Sequence, residues 1–295
     1  MIISTIVGAG FATGAELITF FGDSTLPPIL IATIVGVFLF MFMVILILNQ
    51  NQKPPEWLVK IISFIFFVAM IAGIAELGGY IIAGIAVVFC LFIIWLGFEK
   101  AIVINKYCMG FTLLVLLIIA FANSDGTLAR TNLPPTYVHT TFMALLYSAM
   151  NCFMLFAVFK SALKKRPRGE VICASVLAVL AISFFILIIF TAIRTHNTIS
   201  VMPVLELNNS IFTWLAILLS IFTSMYVSML NLSDTSSIHK KPVSIKLILV
   251  SIIAYILSFF GFKNVIGTFY PIIAIIMFIY VLKICFYSLF RRLHQ

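Results

Sequence analysis

The sequence predicts an all-α integral membrane bundle of ten helices. Three observations predict it: the apolar content, the length of the apolar runs and the placement of the basic residues. Of 295 residues, 63% are hydrophobic and 9% are charged, with a mean hydropathy of +1.24. A soluble chain is roughly 45–50% apolar and about 25% charged, so this one cannot cover itself with polar side chains. Its apolar residues gather in runs of about 17 to 25, the length that crosses a hydrocarbon core of roughly 30 Å. Lipid is therefore the main solvent, and the bilayer is the first expected partner.

The spans run approximately over 1–21, 28–48, 58–79, 80–97, 104–122, 140–160, 171–193, 210–230, 245–262 and 265–290, each closed by polar or Pro/Gly punctuation. The third and fourth are divided only by Glu76, Leu77, Gly78, Gly79 and Tyr80. Charge supports that division. With ten spans and both termini cytoplasmic, 15 of the 18 basic residues fall inside and only Arg130, Arg194 and Lys263 outside, the asymmetry of the positive-inside rule. Merging the two spans would move Lys164, Lys165, Arg166 and Arg168 outside. The net charge of +9 thus speaks of topology, and no nucleic-acid partner is expected. Cys90, Cys108, Cys152, Cys173 and Cys285 lie in or beside apolar segments with no CxxC spacing, as small core residues do; neither a disulfide nor zinc is implied.

The chain reads as a single transmembrane domain over 1–295, with one group of five spans at approximately 1–122 and another at 140–290. The first run has no basic lead and no small-residue cleavage site, unlike a signal peptide. It begins abruptly at Met1, and because a first membrane helix normally has a cytoplasmic lead-in, a truncated start or a late-assigned start codon is expected. The longest segments between spans, 123–139 and 194–209, are assigned to the outer face. Within the second, Met202 to Leu207 mixes apolar and polar residues, as either a short surface helix acting as a lid or a plain interfacial loop would.

Three constellations bear on function. The first span holds Val7, Gly8, Ala9, Gly10, Phe11, Ala12, Thr13, Gly14, Ala15 and Glu16. Glycine weakens a helix, and main chain freed at membrane depth survives only where protein buries it or a polar cavity receives it. This stretch is either an unwound segment that binds a substrate or ion, or a small-residue packing face of Gly10 and Gly14. Glu16 favours the first, since a carboxylate inside a span costs roughly 2.5–3.5 kcal/mol and usually marks a polar pathway. The sixth span holds Tyr147, Ser148 and Asn151. An amide there can serve an interhelical bond, but the sixth span opens the second group of five as the glycine-rich one opens the first, and paired interruptions point to a transporter site. In the eighth span, Thr223 and Ser224 offer two oxygens to a hard cation, although such hydroxyls more often bond their own backbone. No nucleophile with a base, HExxH site, P-loop or dinucleotide motif is present, and no enzymatic activity is expected.

The string Val7 to Glu16, followed by Phe20 and Phe21, resembles the first-helix signature of the YkvI-like family of bacterial membrane proteins. Ala69 to Gly73 (AMIAG), Ala144 to Asn151 (ALLYSAMN), Met202-Pro203 and Phe262 to Pro271 (FKNVIGTFYP) continue the resemblance in order along nearly the whole chain. That family is similar to the amino acid, polyamine and organocation (APC) transporters. The resemblance implies a leucine-transporter-type fold of five plus five inverted repeats, with discontinuous helices 1 and 6. It also implies an ion-coupled secondary transporter of a small solute such as an amino acid, multi-pass in the bacterial cell membrane. The substrate would lie on Gly8, Ala9, Gly10, Phe11, Gly14, Glu16, Tyr147, Ser148 and Asn151, with half-helix N-termini facing a carboxylate. Na⁺ as coupling ion would lie between the Val7 carbonyl, Thr223 and Ser224. Two departures stand out: the sixth span lacks the glycines usual at that break, and the usual start of the first helix is missing. The alternative implied by related spore-germination proteins is a membrane receptor or assembly subunit that binds a small solute without moving it.

Overall fold

In the computed structural model, the described residues are 2–49, 54–96, 98–123, 137–155, 159, 163, 166–196, 200–232 and 244–293. They form helices joined by turns, with no β-strand among them. Among the described residues, six helical segments are long and apolar enough to cross a membrane: Pro28–Leu48, Glu56–Trp95, Asn105–Ala122, Arg168–Thr195, Ile211–Leu232 and Phe262–Phe286. The chain is thus an all-α, multi-pass membrane protein, and its large exposed apolar side chains, among them Val37, Ile81, Val88, Leu177 and Ile279, are those lipid would cover.

The first run is three short helices, α1 (Ile2–Ile6), α2 (Ala9–Thr13) and α3 (Ala15–Phe21). Next come α4 (Pro28–Leu48), α5 (Glu56–Leu96), α6 (Phe98–Ala122) and α7 (Tyr137–Met154). The chain ends with α8 (Arg168–Thr195), the one-turn α9 (Pro203–Leu207), α10 (Ile211–Leu232), α11 (Ile245–Leu257) with a 3₁₀ turn at Ser258–Phe260, and α12 (Phe262–Leu293). Proline at the first position of α4 and α9 starts each without losing a bond.

A straight helix of 41 residues would be about 60 Å long, twice the hydrocarbon thickness. Gly79 divides α5, with φ 85° and ψ 164°, a backbone that only glycine holds without strain. Side chains from other helices take carbonyls beside the kink: Trp214 Nε1 donates to Leu77 at 3.2 Å, and Tyr255 Oη donates to Tyr80 at 3.0 Å. Buried main chain at a break needs such partners.

The three pieces of the first run sit inside the bundle, against α5, α7, α8, α10 and α12. Polar bonds join the surrounding helices. Thr112 donates to the Ala216 carbonyl, tying α6 to α10 at 3.0 Å, and Ser148 reaches the Val35 carbonyl, tying α7 to α4 at 3.2 Å. On the other face of α4, a Cβ on Gly36 would lie 2.4 Å from Ser183 Oγ of α8, so this glycine permits a close helix crossing.

Tyr147, Ser148 and Asn151 do not interrupt their helix, because α7 runs unbroken from Tyr137 to Met154 and turns only at Leu155. The polar groups turn inward on the helix instead: Ser148 Oγ donates to Ala144 at 2.7 Å, and Asn151 Nδ2 donates to Tyr147 at 3.0 Å. Side chains that bond the preceding turn need no gap in it.

Candidate functional site

The first run is broken twice, at Val7–Gly8 and at Gly14. Gly8 is extended at φ −96° and ψ −163°, whereas Gly14 is left-handed at φ 81°. Gly10 and Phe11, expected in unwound chain, instead lie within the helical turn Ala9–Thr13, as does Ala9. The free main chain is therefore at the two ends of that turn.

Each break faces a different neighbour. The Val7 carbonyl accepts from Ser220 Oγ at 2.9 Å and from Ser224 Oγ at 3.4 Å, both on α10. Thr223 donates to the Ser220 carbonyl of its own helix at 2.8 Å. A Cβ on Gly8 would lie 3.2 Å from Ser224 Oγ and 3.3 Å from Met70 Cε. The sequence paired the adjacent Thr223 and Ser224, but adjacent residues on an α-helix diverge by about 100° while i and i+4 share a face. Ser220 with Ser224 is the pair that faces Val7, and the spacing of four could have found it.

At the other break, a Cβ on Gly14 would lie 2.7 Å from Ile193 Cδ1 of α8 and 3.4 Å from Pro203 and Val204 of α9. The one-turn α9 thus covers the Gly14 kink. Its Met202, Pro203 and Val204 are buried against the bundle, while Glu206 is exposed. Beside it, Arg194 at the end of α8 donates to the Ser24 and Leu26 carbonyls and lies 4.7 Å from the Phe190 ring centre. A Gly14→Ala substitution should lower thermal stability in detergent. The left-handed backbone alone costs a non-glycine residue roughly 1–2 kcal/mol, and the contact with Ile193 adds an overpacking cost of about 1–3 kcal/mol. An unchanged melting temperature would contradict this packing.

Glu16 lies in the first turn of α3, just after the second break. It is 3% exposed, and a Cβ on Gly10 would fall 2.2 Å from its Cγ, 2.4 Å from Oε1 and 2.6 Å from Cδ. Gly10 is the bed on which the Glu16 side chain rests. Around it stand Tyr147 of α7 and Tyr270 of α12, both fully buried. Phe20 and Phe21 meet the Tyr147 ring edge-on at 5.3 and 5.6 Å, and Phe66 lies 5.0 Å from the Tyr270 ring. Phe11 is fully buried in the same core, and Ser148 faces α4 through its bond to Val35.

The structure thus brings Gly10, Glu16, Tyr147 and Asn151 together and places Val7, Gly8 and Ser224 in a second group against α10. Sequence reasoning missed Tyr270 and Ser220. For Tyr270 the signal was its neighbour Pro271, a proline inside a helix, which removes a main-chain donor and often marks a functional bend.

Among the described residues, no group of three or more His, Cys, Asp or Glu side chains could hold a metal ion. Fold and site together define a polytopic helical membrane protein with a polar, interrupted element at its centre. No protein-family model matches the chain, and no curated protein matches it significantly.

Proposed function

We propose that the protein is a secondary-active, ion-coupled transporter of a small solute, an amino acid or related compound. In this reading it has ten membrane helices as two inverted groups of five, the leucine-transporter-type arrangement of the YkvI-like proteins and the APC superfamily. Residues 1–122 and 140–290 are the two repeats, α5 supplies two spans across Gly79, and the termini are cytoplasmic. Alternating access moves one helix group against the other around a solute held by Gly10, Glu16, Tyr147 and Asn151. Na⁺ is the coupling ion, at the Val7 carbonyl and the hydroxyls facing it.

The observation that carries this reading is the double break of the first run inside the bundle, at Val7–Gly8 and Gly14. Irregular backbone at membrane depth is a feature of sites where solutes and ions are bound. A packing face alone would have been satisfied by an unbroken helix.

Reconstituted vesicles test it. A panel of amino acids and related solutes is offered under an inward Na⁺ or proton gradient, and at least one is expected to accumulate above protein-free vesicles until an ionophore collapses the gradient. Absence of gradient-driven uptake across the panel would remove transport. Solute binding without flux would point to the receptor reading instead.

A further inference from the structure

The second half of α5 and the adjacent α11 leave a groove of about 610 Å³ between them, within the roughly 300–1,000 Å³ of small-molecule sites. It runs along α5 from Tyr80 past Gly84 and Val88 to Phe92, with Tyr255 of α11 on its flank.

Two contacts fix where this groove stands in a membrane. Gly73, before the Gly79 kink, faces Ile221 of α10, while Phe89, beyond the kink, lies 5.3 Å from the ring of Phe222, the next residue of α10. On a straight helix Gly73 and Phe89 would be about 24 Å apart, so α5 doubles back at Gly79 and Tyr80 lies at the turn of a hairpin. From Tyr80 to Phe92 the groove covers about 18 Å of helix, close to one leaflet, which is half of a roughly 30 Å hydrocarbon core.

The polar groups stand at one end. At the turn, Tyr255 Oη donates to the Tyr80 carbonyl at 3.0 Å and the Tyr80 ring stacks on Phe259 at 4.2 Å, an aromatic rim of the kind that sits at headgroup level. After Phe259 the chain turns at Gly261 into α12, whose first turn carries the exposed Lys263. Lys263 forms no ion pair among the described residues. At the far end stand aromatic rings, Phe92 lying 6.4 Å from Phe89 and 5.8 Å from Trp95.

The occupant is therefore apolar over the depth of one leaflet and anionic at the turn. A second copy of the chain fits poorly, because eight residues line the groove and a stable protein interface takes roughly 20–30 a side. We propose that the groove binds one acyl chain of an anionic phospholipid, with the lipid phosphate at Lys263. This site lies on the outside of the bundle and does not depend on the transporter reading.

Thermal unfolding and native mass spectrometry of the purified full chain in dodecyl maltoside, titrated with dioleoyl phosphatidylglycerol or dioleoyl phosphatidylcholine, test it. Phosphatidylglycerol should raise the melting temperature saturably and remain bound at one copy per chain. Lys263→Gln should weaken its apparent affinity about fivefold, the worth of one lysine near an anionic lipid surface, and leave phosphatidylcholine unaffected. Gly84→Leu should abolish the response by filling the groove. A Cβ on Gly84 would lie 3.6 Å from Tyr255 Cε2, an ordinary contact, and leucine favours a helix over glycine, so the lipid-free melting temperature should not fall. If that variant nonetheless fails to fold, Val88→Trp, at a position 67% exposed, fills the same groove from its wall. The proposal is overturned if phosphatidylglycerol gives no saturable shift, if the filled groove keeps the full response, or if phosphatidylcholine stabilises equally and Lys263→Gln changes nothing. A lipid-free dimer that Gly84→Leu dissolves would overturn it in favour of a second copy of the chain.

Discussion

A Gly10→Leu variant should lose solute binding and uptake by about a hundredfold, roughly 2.7 kcal/mol of binding free energy, and even Gly10→Ala should show a large part of the effect. A Cβ at this position would stand 2.2 to 2.6 Å from Cγ, Oε1 and Cδ of Glu16, far inside van der Waals contact. The carboxyl must therefore leave its place beside Tyr147. Overpacking of this kind costs about 1–3 kcal/mol, and a double-mutant cycle shows where that cost arises. If Gly10 serves Glu16, the stability lost in Gly10→Ala should be recovered when Glu16→Ala is added, because every atom in conflict lies beyond the Glu16 Cβ. Binding should stay lost in the double variant. If Gly10 instead served helix packing, the stability cost would persist in the Glu16→Ala background, and the site built on Glu16 would lose its support.

The separate roles of the glycines mark the boundary of what the sequence made legible. Apolar run length located the six described helices long enough to cross a membrane, since crossing a bilayer demands a minimum number of apolar residues whatever their order. The brief interruption at Glu76 to Tyr80 contains the Gly79 kink, because positive φ has a sequence signature in glycine. The cluster Val7 to Glu16 signalled weak helix but not where it fails. Gly8 borders an extended break, Gly14 adopts the left-handed region and Gly10 stays helical while yielding its side-chain space to Glu16. A single letter serves all three purposes, and only tertiary neighbours separate them. Tyr147, Ser148 and Asn151 misled for a related reason. Polar residues in an apolar helix suggest an interruption, but hydroxyl and amide groups can bond the turn before them, as Ser148 and Asn151 do. Pro271 marked the turn that carries Tyr270, but the relation of Tyr270 to Glu16 joins residues 254 positions apart, and no local pattern encodes such a meeting.

Removing both Ser220 and Ser224 hydroxyls as Ser220→Ala with Ser224→Ala is expected to raise the half-saturating Na⁺ concentration for uptake about tenfold or more, whereas Thr223→Ala alone should shift it by less than about twofold. The contrast follows from where the hydroxyls point. Ser220 and Ser224 lie one turn apart on α10 and converge on the Val7 carbonyl at 2.9 and 3.4 Å, while Thr223 bonds the Ser220 carbonyl of its own helix. A carbonyl released from a broken helix and two hydroxyl oxygens are ligands that suit a hard cation, and unwound main chain is a recurrent source of them in transporters. Each hydroxyl contributes about 1 kcal/mol in net terms, so losing two reaches a tenfold change. Thermal unfolding without Na⁺ separates ligation from structure. The double variant leaves the Val7 carbonyl without two donors and should be less stable in both conditions, but only ligation predicts that the added stability given by Na⁺ also disappears. Should the double variant keep its Na⁺ response while Thr223→Ala loses it, the cation would have to sit on the other face of α10, and the break at Val7–Gly8 would be a joint between helices with no ion to hold.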